Sequence, residues 1–149
     1  MKEPFKEDDG EANGSSIAFF ARFGGRTALF AGDAFPSVIL NTLTSIYGQE
    51  KIPIDLIKLS HHASAGNTSP ELIKKLACNT YIVSTNGSIY KHPAAKTIAH
   101  VIKLAGPEVT LYFNYISDHN KVWKSKTLQQ QYGYKAIYPE EGEGITVQL

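Results

Sequence analysis

The sequence predicts an α/β fold with helices packed on a sheet. Three observations carry this. After an opening hairpin, short apolar runs alternate with amphipathic runs of helical period, in the order strand, helix, strand, helix, strand, helix, strand. Turn and stop signals, Gly24-Gly25, Gly48 and Gly106-Pro107, stand where those elements must end. The loops at Asp33, His61 and His92 each follow the C-terminal end of a strand, the edge where α/β sheets keep their ligands.

Residues 1–14 are polar and rich in charge, and read as a flexible lead-in or a long loop; residues 15–149 read as the domain. Ser15 to Phe23 and Arg26 to Ala31 are strand candidates. Gly24-Gly25 joins them as a hairpin turn, because glycine takes positive φ without a Cβ clash. Pro36 opens a helix whose apolar stripe is Val38, Ile39, Leu43 and Ile46, and Gly48 closes it. Ile54 to Leu59 is a strand. Thr68 or Ser69 caps a helix with Pro70 and Glu71 in its first turn and Leu72, Ile73 and Leu76 facing inward. Thr80 to Ser84 is a strand, Ala94 to Ala105 a helix begun at Pro93, Val109 to Phe113 a strand, and Ile145 to Leu149 a last strand.

Composition limits the function classes. The chain has 149 residues, one domain's worth, with 15 Lys and Arg against 14 Asp and Glu and a net charge of +1. Bulk charge therefore gives no nucleic-acid footprint. One cysteine, Cys78, excludes an internal disulfide and a multi-cysteine zinc site, and fits a reducing cytoplasm. Arg22, Gly24, Gly25, Arg26 and Asp33 break the longest apolar region, where a membrane span needs about 20 apolar residues. A soluble cytoplasmic protein with no membrane association is expected. There is no Gly-x-Ser-x-Gly elbow and no phosphate-binding Gly-x-x-x-x-Gly-Lys loop.

Three pieces carry candidate chemistry. Gly32-Asp33 projects a carboxylate from a strand end; the alternative is that Asp33 caps the helix near Pro36. Ser60-His61-His62-Ala63-Ser64 puts two imidazoles at the next strand end. Adjacent side chains diverge there, so one enters a site while the other supports it, or one is simply exposed. Ser84-Thr85-Asn86, followed by Tyr90-Lys91-His92-Pro93, holds His92 at a loop–helix junction near a positive helix end; the alternative is a turn histidine. His100, His119 and Cys78 read as a polar helix-face residue, a turn residue and a packing residue.

In this order the chain resembles the metallo-β-lactamase superfamily, and within it the C-terminal half of the hydrolase domain of competence-type DNA-internalisation proteins and their soluble relatives. The residues that carry the resemblance are Asn13-Gly14-Ser15-Ser16-Ile17-Ala18-Phe19, Leu29-Phe30-Ala31-Gly32-Asp33-Ala34, Leu56-Ile57-Lys58-Leu59-Ser60-His61-His62-Ala63-Ser64 and Tyr90-Lys91-His92-Pro93. Ala63 departs from the family's glycine and implies an ordinary φ there. The resemblance implies an αββα sandwich, of which this chain is mainly the C-terminal half, with a mixed sheet and helices on one face. It implies one or two zinc or manganese ions and hydrolysis of a phosphodiester or similar bond. Asp33 matches the bridging aspartate and His61 the last metal histidine. His62 supports or replaces His61, and His92 contacts substrate, with Ser64, Ser84 and Asn86 beside it.

The family's His-x-His-x-Asp-His motif is absent, since no histidine precedes His61. Two ligands are expected to hold metal weakly or not at all in this chain alone, because catalytic zinc takes three protein ligands and a water. Either the chain is part of a longer protein, or it is a small module that lost its metal half. Both predict an uncovered apolar sheet face, met by the missing half or by self-association. A non-catalytic nucleic-acid- or protein-binding module is the alternative, with Lys58, Lys91 and Lys96 near the active edge.

Overall fold

The computed structural model describes residues 4–140 and 144–149. A short helix, α1 (Glu11–Gly14), precedes a hairpin of β1 (Phe19–Phe23) and β2 (Arg26–Phe30). Gly24 and Gly25 have φ of 55° and 79°, the left-handed pair a two-residue hairpin needs. Next come α2 (Pro36–Tyr47), β3 (Ile52–Pro53), β4 (Leu56–Lys58), a 3-10 turn (Ser60–Ala63), α3 (Pro70–Lys75), β5 (Leu76–Ala77) and β6 (Thr80–Val83). The chain continues through α4 (Ala95–Leu104), β7 (Val109–Phe113), a second 3-10 turn (Lys121–Lys124), α5 (Lys126–Tyr132) and β8 (Tyr134–Ile137).

The main sheet is mixed, in the order β1-β2-β4-β6-β7-β8. Only β1 runs antiparallel to its neighbour; β2, β4, β6, β7 and β8 pair in parallel. This is the α/β architecture expected. Strand pairing puts Leu29, Ile57, Tyr81 and Leu111 in one cross-strand row. All four are buried in one core with Ile39 and Leu43 of α2, Leu72 and Ile73 of α3, and Ile98, Val101 and Ile102 of α4. Helices α2, α3 and α4 therefore cover one face of the sheet. The next row, Phe30, Lys58, Ile82, Tyr112 and Ile137, faces the other way and is only partly covered. Phe19 stacks on Phe30 at the end of that row. Phe23 is 92% exposed and Ile17 78% exposed beside the β1 edge.

Helix capping follows the sequence closely at α3: Ser69 Oγ accepts from Leu72 N at 3.1 Å. Elsewhere the expectations need correction. Helix α4 starts at Ala95, with Ala94 as its N-cap, not at Pro93. In α2, Ile39 and Leu43 are buried, whereas Val38 and Ile46 are exposed along an apolar groove shared with Ile17, Phe19 and Phe20. Residues 144–149 form no strand. The sheet edge beside β7 is taken by β8, an element whose Tyr134-Lys135-Ala136-Ile137 run is too short to stand out in a polar, aromatic tail. Val147 and Leu149 instead lie against Ala21, Phe23 and Ala28 of the hairpin. The small parallel pair β3–β5 was likewise not expected, since two-residue strands carry no periodicity.

Candidate active site

The parallel strands aim three loops at one sheet edge. Gly32-Asp33 leaves β2, the histidine turn leaves β4, and the Ser84–Pro93 loop leaves β6. Backbone bonds fasten them together: His61 N donates to Gly32 O at 2.8 Å, and Ala94 N donates to Ala63 O at 3.0 Å. The His61 and His92 rings are 5.4 Å apart by centroid, and His61 and His62 6.2 Å. The loops that carry Asp33, His61, His62 and His92 thus lie at one sheet edge, with the three imidazoles side by side.

The histidine turn is built from left-handed backbone. His61, His62 and Ala63 have φ of 43°, 55° and 65°. The expectation of an ordinary φ at Ala63 is therefore wrong. The turn keeps the conformation that suits glycine, and the Ala63 methyl is wholly buried. This backbone splays the two rings. His62 is exposed and donates from Nδ1 to the Ser84 carbonyl. His61 turns inward to Asn67, its Nδ1 3.0 Å from Asn67 Oδ1 and 3.4 Å from Asp8 Oδ2.

Asp33 is half-buried. The helix that follows is capped by Phe35 without a side-chain bond, so Asp33 does not cap it. Its backbone N–H donates to Ser16 Oγ at 2.9 Å, and its carbonyl accepts from Asn67 Nδ2 at 3.1 Å. Gly32 has φ of 55°; a Cβ there would come 2.6 Å from Ser16 Oγ and 2.7 Å from Ile17 O. The motif's glycine is thus required twice, for its turn and for close approach. Lys58, at the end of β4, has its ammonium pulled below the usual lysine range by burial, against the opposing pull of the Asp33 carboxylate.

His92 precedes a cis peptide to Pro93. Burial, followed by the charges of His61 and His62, lowers its pKa below the ordinary imidazole value. With His62, Thr85, Asn86, Tyr90 and neighbours it lines an open cleft of about 220 Å³. Within that loop Asn86 Oδ1 accepts from Ser88 N at 3.0 Å, and Tyr90 is 73% exposed. Ser64 Oγ accepts from Gly66 N at 3.3 Å, and its carbonyl accepts from Thr97 Oγ1. His119, read as a turn residue, packs against the same loop: its Cδ2 would lie 2.8 Å from a Cβ on Gly87.

Residues that motif reading passed over complete the surroundings. Asp8 accepts from Gly10 N at 2.9 Å, Asn13 Nδ2 at 2.6 Å and Asn67 Nδ2 at 2.9 Å. The Gly10 N–H, with Asn67 and Asn13, holds its carboxyl down at about 2. Asp8 N also donates to Gly66 O at 3.1 Å, which ties the charged opening to the site. No local signal marks Asp8 or Asn67; one sits in a charged run, the other in a polar loop.

As a metal site, the donors present are one carboxylate and imidazoles, the right chemistry for zinc or manganese. Among the described residues, however, no group of three or more His, Cys, Asp or Glu side chains is placed to hold a metal ion. Also among the described residues, no helix is long and apolar enough to cross a membrane.

No protein-family model matches the chain. No solved structure matches it either. Among curated proteins it is similar to ComE operon protein 3 of Bacillus subtilis (strain 168), 28% identical over 99 residues. That match covers 64% of this chain and 12% of the relative, so the chain corresponds to a small part of the relative's length.

Proposed function

We propose that this chain is the C-terminal half of a metal-dependent hydrolase of the metallo-β-lactamase type, acting on a phosphodiester or similar bond. The observation that supports the proposal is that the loops carrying Asp33, His61, His62 and His92 share one sheet edge, with His61 N bonded to Gly32 O at 2.8 Å and the His61 and His92 rings 5.4 Å apart. Asp33 and His61 would hold the metal, His62 would brace the turn through its bond to the Ser84 carbonyl, and His92 would meet the substrate from the cleft that it shares with His62. Zinc or manganese, completed by ligands outside this chain, would acidify a water there for attack. His92, its pKa lowered, is largely neutral at pH 7 and so offers the substrate either a hydrogen bond or a proton acceptor.

The missing ligands come from an N-terminal half bearing the histidine motif, and this half covers the exposed apolar face. The length of ComE operon protein 3 supports this, because most of that relative lies outside the matched region. The test joins or mixes the chain with that half and assays a chromogenic phosphodiester with added zinc or manganese. Asp33→Ala and His61→Ala should each lower the rate at least about 100-fold, the upper range for losing even a supporting contact at a metal. Unchanged rates would refute the assignment.

The incomplete donor set favours a second reading, a non-catalytic module that binds nucleic acid or protein. Oligonucleotide binding that weakens steeply with salt, with no metal-dependent hydrolysis in the joined protein, would select it.

A further inference from the structure

Asn67 is wholly buried between the loops that carry Asp33 and His61. Its amide nitrogen lies 2.9 Å from Asp8 Oδ2 and 3.1 Å from the Asp33 carbonyl oxygen; its own oxygen lies 3.0 Å from His61 Nδ1. Carbonyl and ionised carboxylate oxygens accept hydrogen bonds and cannot donate. Two acceptors therefore demand the NH2 group on one side, and turning the amide round would set oxygen against both. The Asn67 oxygen is left for His61, so Nδ1 must carry the proton. Asp8 Oδ2, 3.4 Å from the same nitrogen, demands the same. The Asn13 amide nitrogen, which gives one N–H to Asp8 Oδ2 at 2.6 Å, has a second that could reach Nδ1, but at 3.4 Å this contact is longer than the 3.0 Å to the Asn67 oxygen, and the two acceptors Asn67 Oδ1 and Asp8 Oδ2 outweigh it.

We infer that Asn67 is a positioning residue that holds neutral His61 as its Nδ1–H tautomer and leaves Nε2 unprotonated, with its lone pair open to a ligand. The same amide anchors the Gly32-Asp33 loop through the Asp33 carbonyl, so one buried side chain sets both candidate ligands. The inference rests on the hydrolase reading only for what Nε2 receives; the tautomer follows from hydrogen bonding alone.

The test is ring-nitrogen NMR on the 149-residue chain without metal, well above the ordinary imidazole pKa of about 6.5. His61 is expected mainly as Nδ1–H, and a majority Nε2–H population overturns the inference. Asp8→Asn should leave the tautomer in place, because the Asp33 carbonyl still orients Asn67. A switch in that variant would assign the tautomer to Asp8 and overturn the role of Asn67. Asn67→Ala leaves His61 Nδ1 only the longer 3.4 Å contact to Asp8 Oδ2 as an acceptor and should lower the Nδ1–H fraction, and an unchanged fraction would likewise overturn the inference. If Asn67→Ala fails to fold, the wild-type and Asp8→Asn spectra still decide. No metal enters these measurements, so failure of the hydrolase reading shows only in the Asp33→Ala and His61→Ala rates.

Discussion

Ala63 carries a cost that its neighbours impose. At φ 65° a Cβ costs about 1–2 kcal/mol. Burying its methyl returns about 0.8 kcal/mol. Ala63→Gly should therefore leave stability unchanged or raise it by up to about 1 kcal/mol in urea unfolding, and a loss above 1 kcal/mol would contradict this balance. His92 works through charge. Its folded pKa lies below the unfolded value, so the unfolded chain binds more protons as pH falls through the ordinary imidazole range. In the metal-free chain this contribution is full above about pH 6.5 and is lost as pH drops toward the lowered folded value. Asp8 acts in a separate, lower window: its depressed carboxyl contributes above the ordinary carboxylate range, and the contribution is lost as pH falls toward about 2. Melting temperature against pH should show both steps. His92→Asn should flatten the upper one and leave the lower, and a profile unchanged by His92→Asn would remove histidine from the account.

The link from β2 to α2 depends on Gly32. An alanine there would meet Ser16 Oγ and Ile17 O at under 3 Å while holding a positive φ. The strand start before β1 would have to move, taking with it the Ser16 bond to Asp33 N. Gly32→Ala should destabilise the chain by about 2 kcal/mol or more, from backbone strain and the lost bond together, and a cost under 0.5 kcal/mol would show the junction to be slack. Elements with strong local signals were legible in advance: the hairpin from Gly24-Gly25, α2 from its proline and glycine, α3 from its serine cap. Elements β3, β5, α5 and β8 were not. The three strands are short, and pairing across the sheet, not local preference, makes them strands; α5 is a seven-residue helix with no buried residue and so no apolar stripe to read.

A sheet covered on one face leaves the molecule unbalanced. Phe19, Phe30, Ile82, Tyr112 and Ile137 face away from the helices, with Phe23 at the hairpin tip. In isolation the chain should self-associate through this face with a concentration-dependent sedimentation coefficient. Replacing the exposed Phe23 and Ile137 with serine should shift it toward monomer while changing stability by only about 0.5 kcal/mol, as surface substitutions do. A wild-type chain that is monomeric at high concentration would refute this.

Local chemistry settled the fold class, the hairpin, two of the helices and the strand ends that present Asp33, His61 and His92. Each depends on residues a few positions apart, which periodicity and turn chemistry can read. Tertiary structure alone brought Asp8 to Asn67 across 59 positions and turned His61 toward them. It also gave Ala63 a glycine's backbone. Such contacts depend on where distant loops come to rest, and a buried amide between two loops has the same local sequence as one in solvent.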